Sequence, residues 1–425
     1  MKHFLYFSFF FFLAVDAAGQ VDTLFTRKRI TFPEYLEAVG KGNLNYAVQK
    51  FNVDIAYAGI EIAKIFPNPE IYYGYINMGQ GRMKAGYGYS VNANTTLELG
   101  GKRKARIDLA NNGTELAKAQ LEDFFRNLRA DATLAFLNAL SQRNSLRVMI
   151  NSYESINKLA VSDSIRFKLG SIMEIDAKQS RLEARYLLNS VIQTQSNWKV
   201  SLNNLNLLVG KQNMDTLLYP TGRFDQFERD FVYKDLVTTA LNNRADLLAA
   251  LKNKNVAQSA LRLAKANRMI DLGIVIGSNN TSVVTNFVEP TPSLTAVYGG
   301  VTIPLKFSNN YKGDLRAAEY NIAQAELQYR QVELQVETDV AQAYSQYMAG
   351  RKQVQQFQSG LLSEAKRVLE GKVYAYQRGK TSLLEVLNSQ RTYNIIQMDY
   401  FTTLYNYASA LVQLERAAGI WDINF

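Results

Sequence analysis

Two stretches of the chain alternate apolar and polar side chains with a period of two. Between residues 87 and 99 the odd-numbered positions hold Tyr, Val, Ala, Thr or Leu, and the even-numbered positions are small or polar. A similar alternation runs through residues 297–305, and shorter traces of it occur at 71–75 and 272–276. Side chains point alternately to the two faces of a strand. The pattern therefore predicts strand pairs near 70–99 and 270–305, each with one apolar face.

A second pattern, with apolar or small residues at steps of three and four, follows each strand pair and predicts long helices. After Leu315 it runs through Ala318, Ile322, Ala325, Tyr329, Val332, Val336, Val340, Ala343 and Tyr347. Residues 102–165 behave similarly but less regularly. All prolines lie outside residues 70–219 and 305–425, so long helices are permitted there. Narrow stripes of this kind are typical of coiled-coil helices.

The whole plan occurs twice, about 209 residues apart. Each copy begins with a shorter helical segment, about 33–65 or 232–267, and ends in a helical hairpin that reverses at Gly170 or Gly379. An acid and a serine follow each glycine by six and ten residues: Asp176 and Ser180, then Glu385 and Ser389. We therefore predict two structural repeats, residues 20–219 and 220–425, with 210–231 linking the halves.

Residues 1–19 have the plan of a secretory signal peptide. A basic residue precedes an apolar run from Phe4 to Val15, and small residues follow up to Gly19. The run is too short to span a bilayer. We expect cleavage near Gly19 and export; a buried N-terminal helix is the alternative.

Residue composition argues against most catalytic chemistry. The chain has no cysteine, and its single histidine, His3, lies in the leader. The mature chain therefore offers no disulfide, no thiolate nucleophile, no acylated amino-terminal cysteine and no imidazole ligand. The acids form no nucleophile–base pair that sequence can place together. We predict no enzyme, no catalytic residue, no metal site and no cofactor.

The net charge of +10 raises the question of a polyanionic partner. Basic residues are spread among nearly as many acids, and the densest cluster spans residues 102–106. This distribution favours solvated helix faces or anionic lipid headgroups over nucleic acid. Beyond the leader, no apolar run reaches about 18 residues, the length that a transmembrane helix needs. A membrane role would therefore use the strands.

The apolar strand faces allow two structural interpretations. In a soluble sheet a protein layer must cover the apolar face, but most of the remaining sequence is helix whose own stripe is already committed. Lipid would cover such a face without further protein, as in a transmembrane β-barrel. Four strands cannot close a barrel, because about eight are needed and open edges are excluded from lipid. Several chains would have to pool their strands.

The chain resembles the TolC-like outer-membrane efflux proteins over essentially its whole mature length. Five segments in this order carry the resemblance: Ile65-Phe-Pro-Asn-Pro69, Leu97-Glu-Leu-Gly-Gly-Lys-Arg103, Asn243-Arg-Ala-Asp-Leu247, Tyr376-Gln-Arg-Gly379 and Leu384-Glu-Val-Leu-Asn-Ser-Gln-Arg391. The resemblance implies an α+β membrane protein of the Gram-negative outer membrane. In it, a homotrimer gives four strands per protomer to one β-barrel, and its helical hairpins form a periplasmic α-barrel.

The resemblance also implies a function. Family members are passive exit ducts of tripartite efflux systems, and they dock through a periplasmic adaptor onto an inner-membrane pump. The Gly100–Arg103 segment leans toward the heavy-metal branch, so the cargo would be metal cations or drugs. A periplasmic or surface coiled-coil scaffold without a channel is the alternative function.

Gate and docking residues follow by resemblance to the family. The periplasmic gate would comprise Asp176, Tyr376, Glu385 and Asn388. The adaptor-contacting tips would comprise Lys168, Leu169, Gly170, Arg378, Gly379 and Lys380. Asn388 stands where some relatives have a second acidic ring, and Thr381 where they place a basic residue. A simpler reason for Asp176 and Glu385 is that acids are favoured at helix N-termini.

Overall fold

The computed structural model describes residues 26–79, 84, 86–211, 215–222, 227–284, 287–288, 290–306 and 311–423. The predicted signal peptide, residues 1–19, lies outside them. The described helices are α1 (Phe32–Gly42), α2 (Leu44–Lys64), α3 (Lys102–Lys168), α4 (Glu174–Val209), α5 (Tyr233–Asn243), α6 (Ala245–Asn267), α7 (Lys312–Gln356), α8 (Leu362–Gln377) and α9 (Leu383–Ala418). The described strands are β1 (Thr26–Ile30), β2 (Glu70–Asn77), β3 (Tyr87–Leu97), β4 (Thr216–Pro220), β5 (Leu272–Thr281) and β6 (Leu294–Thr302).

The described residues form two compact units. The first unit comprises residues 26–42 and 138–222, and the second comprises 43–137 and 227–423. In the first unit, β1 pairs in parallel with β4, and α4 contacts both α1 and β4. This strand pair was not predicted, because residues 210–231 were interpreted only as a link. Buried apolar side chains fill its core: Phe32, Tyr35, Leu202, Leu205 and Leu218.

A four-stranded antiparallel sheet lies in the second unit, with the order β2-β3-β5-β6. Its strands confirm the two predicted strand pairs, and the register places Tyr73 opposite Val91 and Ile274 opposite Val301. Apolar residues therefore share one face across the sheet. On the other face the rings of Tyr72 and Tyr298 lie over Gly74 and Gly277, where any side chain would collide with them. Both glycines make room for neighbouring tyrosine rings.

Each predicted shorter helical segment is in fact two helices. The first segment breaks at Asn43, whose extended backbone starts α2 and whose side chain accepts a hydrogen bond from the Tyr46 amide at 2.9 Å. The second breaks at Arg244, which is also extended (φ −70°, ψ 126°). Asparagine is a preferred N-cap because it satisfies a free amide of the first turn. Arginine has no such preference, so the second break could not be predicted from the residue at this position.

The predicted stripe along α7 is confirmed. Ala318, Ala325, Val336, Val340, Ala343 and Tyr347 are buried, and Ile322, Tyr329 and Val332 are half-buried. The helical run does not continue unbroken to Gly379, however. A π-helical segment, Phe357–Leu361, separates α7 from α8, and Gly360 in it has φ +124°. Among the described residues, no helix is both long and apolar enough to cross a membrane.

Candidate functional site

Both hairpin tips end in the same backbone motif. At the first tip the Ser171 amide donates to the Arg166 carbonyl at 2.8 Å, and the Gly170 amide donates to the Phe167 carbonyl at 2.9 Å. This pair of hydrogen bonds is a Schellman motif, which needs a left-handed residue after the helix. Gly170 supplies it with φ +72°. The structural role predicted for this glycine is therefore confirmed.

The second tip repeats the motif in the second unit. The Lys380 amide donates to the Ala375 carbonyl and the Gly379 amide donates to the Tyr376 carbonyl, both at 2.9 Å. Gly379 also has φ +72°. The guanidinium of Arg378 stacks on the ring of Tyr374, with 3.4 Å between the guanidinium carbon and the ring centroid. The tips therefore have the same backbone geometry, each within its own unit.

The six predicted adaptor contacts occupy exposed positions on these tips. In the first unit Lys168 ends α3, and Leu169 next to it is 74% exposed although it is apolar. In the second unit Arg378, Gly379 and Lys380 are also exposed. Both tips thus present basic groups, and the first adds an apolar side chain that a partner would cover.

The predicted gate residues lie at the start or end of the tip helices. Asp176 is in the first turn of α4 and is half-buried. Tyr376 is in the last turn of α8 and is only 5% exposed. Glu385 is in the first turn of α9, where its amide donates to the Ser382 side chain, and Asn388 is exposed one turn later. The structure brings Tyr376, Glu385 and Asn388 to the same tip, and it places Asp176 on the other.

Glu385 has a partner that sequence reasoning missed. The Lys372 ammonium of α8 lies 2.9 Å from the Glu385 carboxylate of α9. Both side chains keep substantial contact with solvent, so the pair is held loosely. Residues 372 and 385 lie at equal distances from the middle of the tip turn, and side chains in that relation face each other across a hairpin. This symmetry was the available signal.

One face of the four-stranded sheet is both apolar and exposed. Ile71 is 80% exposed and Val297 is 79% exposed, and further large side chains on this face are also exposed: Tyr73, Tyr75, Tyr89, Val91 and Val301. An apolar surface of this extent marks a site of contact with lipid or another protein. Among the described residues of the second unit, no protein layer covers it.

The comparisons with known proteins agree with these features. Residues 236–420 match the family model described as outer membrane efflux protein. The cobalt-zinc-cadmium resistance protein CzcC of Cupriavidus metallidurans is 22% identical over 390 residues, which cover 92% of this chain and 90% of CzcC. The second half of the chain is therefore similar to outer membrane efflux proteins.

Solved structures of the same fold extend the match along the chain. The CmeC outer membrane channel of Campylobacter jejuni superposes with a TM-score of 0.76 at 15% identity, covering 91% of this chain and 85% of CmeC. CusC superposes with a TM-score of 0.74 at 16% identity, covering 91% of both chains. The two channels therefore share the fold of this chain.

Next to the sheet, basic residues join the strands to the helices. The Arg103 guanidinium donates to the Lys64 carbonyl at 2.7 Å, at the C-terminal end of α2. Lys306 donates in the same way to the Asn267 carbonyl of α6 at 2.8 Å. Lys102 is buried and lies 2.6 Å from Asp271. The basic cluster, for which solvated helix faces or anionic lipid headgroups were expected, thus largely forms contacts within the chain.

Arg244, in the quoted Asn243–Leu247 motif, joins three helices of the second unit. Its guanidinium binds Asp246 of α6 through two nitrogens, at 3.0 and 2.6 Å. It also lies 3.0 Å from the Asp339 carboxylate of α7 and 3.3 Å from the Ala417 carbonyl of α9. Arg244 is 5% exposed. Burial alone would raise the pKa of Asp246, but the arginine contacts lower it below its usual value.

A buried acid holds the chain after α9. Glu415 is fully buried and accepts a hydrogen bond from the Asp422 amide at 3.1 Å. Arg229 lies 3.8 Å from its carboxylate and also pairs with Asp422. Burial raises the pKa of Glu415 to about 8, and the neighbouring Asp422 carboxyl adds to the shift. Sequence reasoning missed this group, because its environment is made by distant residues.

Proposed function

We propose that this protein is the outer-membrane exit duct of a tripartite efflux system, and that it is a homotrimer whose twelve strands close one β-barrel in the outer membrane. The order β2-β3-β5-β6 is antiparallel throughout, so the two edge strands run in opposite directions. When β6 of one copy lies against β2 of the next, the antiparallel pattern continues without a break. Three copies supply twelve strands, which exceeds the minimum for closure and leaves no edge in lipid. The exposed apolar face then meets hydrocarbon.

Unpartnered helix stripes support packing between copies. On α2 five large apolar side chains are exposed on one side: Leu44, Val48, Phe51, Ile55 and Ile62. On α7 the exposed residues Tyr320, Leu327 and Leu334 are spaced by seven. A seven-residue spacing gives a straight seam between paired helices. These stripes lie on helices of the predicted periplasmic part, where lipid is absent, and another copy of the chain would cover them.

The two halves of each protomer would be structural repeats, residues 20–219 and 220–425. Helices α4 and α9 both contain 36 residues, and each starts four residues after its tip glycine. The two Schellman tips add to this correspondence. One ancestral half would thus have supplied both helical hairpins of the tunnel.

The gate would be formed at the tips by Asp176 on the first hairpin and by Tyr376, Glu385 and Asn388 on the second. Threefold symmetry would gather three copies of each carboxylate, which attract cations and repel anions in a narrow entrance. The Lys372–Glu385 ion pair partly neutralises one of these rings within each protomer. A proton or a bound cation would lower the remaining repulsion.

An inner-membrane pump would deliver the cargo through a periplasmic adaptor that binds the exposed tips. The contacts would come from Lys168, Leu169 and Gly170 on one hairpin, and from Arg378, Gly379 and Lys380 on the other. Divalent metal cations are the cargo that we propose, because the relative CzcC is a cobalt-zinc-cadmium resistance protein. Nothing in the duct would act on the cargo chemically.

Conductance tests this proposal directly. The purified protein is expected to extract only with detergent and to raise the conductance of a planar lipid bilayer. Asp176→Ala and Glu385→Ala should raise the open conductance further, and the double variant most. Glu364→Gln, an exposed acid of α8 away from the tip, is the matched control. A protein that stays in the aqueous fraction without conductance would be a scaffold, and unchanged conductance in all three variants would remove the gating role.

A further inference from the structure

The interruption between α7 and α8 has a specific geometry. Over Phe357–Leu361 the helix widens to a π-helical turn, and Gly360 adopts φ +124° and ψ −9°. The side chains of Ser359 and Ser363 donate hydrogen bonds to the carbonyls of Gln356 and Gly360, at 2.7 and 2.8 Å. These contacts satisfy carbonyls at a place where the regular helical ladder is disturbed. Short π-helical segments of this kind mark kinks and functional sites in helices.

On the α7 side of the interruption the helix is held firmly. Tyr347 is fully buried, its ring stacks on Tyr407 of α9 at 5.1 Å, and its hydroxyl oxygen accepts a hydrogen bond from the Arg229 amide at 2.8 Å. Arg351 binds Glu228 and also Asp230, each at 2.7 Å. These contacts fix α7 against α9 and against the segment that precedes α5. They extend along α7 to Arg351, a few residues before the π-helical turn.

On the α8 side the helix is held by one narrow stripe. Within α8 only Leu369 and Tyr376 are buried among the described residues, and Lys372 between them forms the exposed ion pair with Glu385. Tyr374 and Val368 are exposed. A segment with few buried contacts opens or shifts at a low free-energy cost. The π-helical turn therefore separates a fixed helix from a lightly held one.

The first hairpin has no counterpart of this turn. The helix that leads to its tip, α3, runs without interruption from Lys102 to Lys168. The helical stretch that leads to the second tip, from Lys312 to Gln377, has nearly the same length but contains the π-helical turn. Equal length with one added π-helical turn indicates that the break has a purpose other than reaching the tip.

We infer that the segment Phe357–Leu361 is a hinge on which α8 rolls against α9. Exchange of π-helical for α-helical hydrogen bonds in this turn rotates α8 about its axis while α7 stays fixed. Gly360 permits the exchange because it alone in the segment adopts dihedral angles that other residues resist. The roll moves Tyr376 and Lys372 relative to Glu385 of α9. Its effect on conduction therefore rests on the proposed gate, whereas the motion itself does not.

Distances between spin labels test the motion. The chain has no cysteine, so introduced cysteines are the only labelling sites. The pair Lys352→Cys and Glu370→Cys spans the hinge, and the pair Arg147→Cys and Ile165→Cys spans an equal length of α3. Eighteen residues of α-helix correspond to about 27 Å, which pulsed electron paramagnetic resonance measures well. Labelled chains are diluted with unlabelled chains so that only distances within one protomer are read. The hinge pair should give a distribution at least twice as broad as the α3 pair.

Gly360→Ala is the decisive variant, because alanine strains a backbone at φ +124° and should drive the segment to one conformation. Its distance distribution should narrow to the width found in α3. Gly371→Ala is the matched control, since this glycine of α8 has no atom within 4 Å of an added Cβ and an ordinary helical φ. Equal widths for the two wild-type pairs, or the same response to both variants, would overturn the hinge.

A second measurement needs no substitution at Gly360. Backbone amides of residues 358–363 in the wild-type duct should exchange with deuterium at least tenfold faster than those of residues 149–154 in α3. Equal protection of the two stretches would also overturn the hinge. Conductance is recorded on the same samples. A narrowed distribution with unchanged conductance would retain the hinge and remove the proposed gate at its tip.

Discussion

The two helical hairpins of the chain have the same backbone geometry at their tips, but the helices that lead to the tips differ. Both tips use a glycine at φ +72° and return through a 36-residue helix that ends at another left-handed glycine, Gly210 or Gly419. The outgoing helix is continuous in the first hairpin and interrupted in the second. Features that reverse or end a helix are thus shared, and features that set its stiffness differ. The second hairpin is therefore the one able to adjust.

Corresponding positions near the ends of the returning helices also differ in charge. Asn206 and Glu415 lie 209 residues apart, and both are fully buried. Asn206 donates to the Thr216 carbonyl at 3.0 Å, and Glu415 accepts from the Asp422 amide at 3.1 Å. Each side chain holds the segment that follows its helix. Only the second half uses an ionisable group for this purpose, so only there does this contact depend on pH.

Asn43 and Arg244, which divide the two shorter helical segments, also differ in their contacts. Asn43 caps its own helix, whereas Arg244 reaches Asp339 of α7 and the last turn of α9. Removal of Arg244 should have the largest effect on stability. Arg244→Met removes the arginine that Asp246 and Asp339 share, and we expect the free energy of unfolding to fall by about 3 kcal/mol. Chemical unfolding in detergent, followed by circular dichroism, measures the loss.

Asn43→Ala is the matched change in the other half and should cost only about 1 kcal/mol, the usual value of an N-cap. Arg244→Lys should recover little of the loss, because an ammonium cannot bind a carboxylate through two nitrogens. Equal losses for Arg244→Met and Asn43→Ala would show that Arg244 acts only locally.

Glu415→Gln makes the second half resemble the first and should change the pH dependence of stability. Because the folded pKa of Glu415 is raised from 4.5 to about 8, its proton stabilises the fold at low pH, and this contribution is lost as pH rises from 4.5 to 8. Each pH unit in that window costs at most about 1.4 kcal/mol. The variant should be more stable than the wild type at pH 8, with a flatter melting profile between pH 5 and 8.

Thermal unfolding at a series of pH values provides the measurement, and the exposed Glu61→Gln serves as control. Arg229, Arg129 and Asp422 are the charged groups around Glu415, and all of them are retained in the variant. An unchanged slope between pH 5 and 8 would mean that Glu415 is ionised throughout this range.

Substitution of the tip glycines should have equal effects on the two hairpins. Neither Gly170 nor Gly379 has an atom within 4 Å of an added Cβ, so only backbone strain opposes a side chain. Gly170→Ala and Gly379→Ala should each reduce the free energy of unfolding by about 1–2 kcal/mol. Chemical unfolding checks both, with Gly371→Ala as the helical control. A smaller loss at Gly379 would show that the adjustable hairpin relaxes part of the strain.

The features that could be predicted from the sequence depend on residues that are close together along the chain. The strand faces follow from alternation, the α7 stripe from its step of three and four, and the tips from glycine in the left-handed region. Each depends on neighbours within a few residues. The short parallel pair of β1 and β4 joins residues 190 positions apart and has no alternating pattern, so nothing local indicated it.

The missed site residues depend on contacts across the fold. Arg244 bonds to Asp339 and Ala417, and the environment of Glu415 includes Arg229, far away in sequence. Gly360 and Gly371 both lie in a helix-forming stretch of the sequence. Only the structure distinguishes them, because Gly360 has φ +124° and Gly371 has an ordinary helical φ. Charge and propensity place such residues on helices, but tertiary packing decides what they do there.

The Lys372–Glu385 pair should have the smallest effect on stability and a distinct effect on conduction. Because both side chains are exposed, a double-mutant cycle with Lys372→Gln and Glu385→Gln should give a coupling of about 0.5 kcal/mol or less. Lys372→Gln leaves the three carboxylates of the proposed ring without their internal partner, so cation selectivity, read from the reversal potential in a KCl gradient, should rise. The corresponding position of the first hairpin is Asp163. Lys372→Asp would therefore give both hairpins an acid there, and a selectivity no higher than that of Lys372→Gln would place residue 372 outside the conducting path.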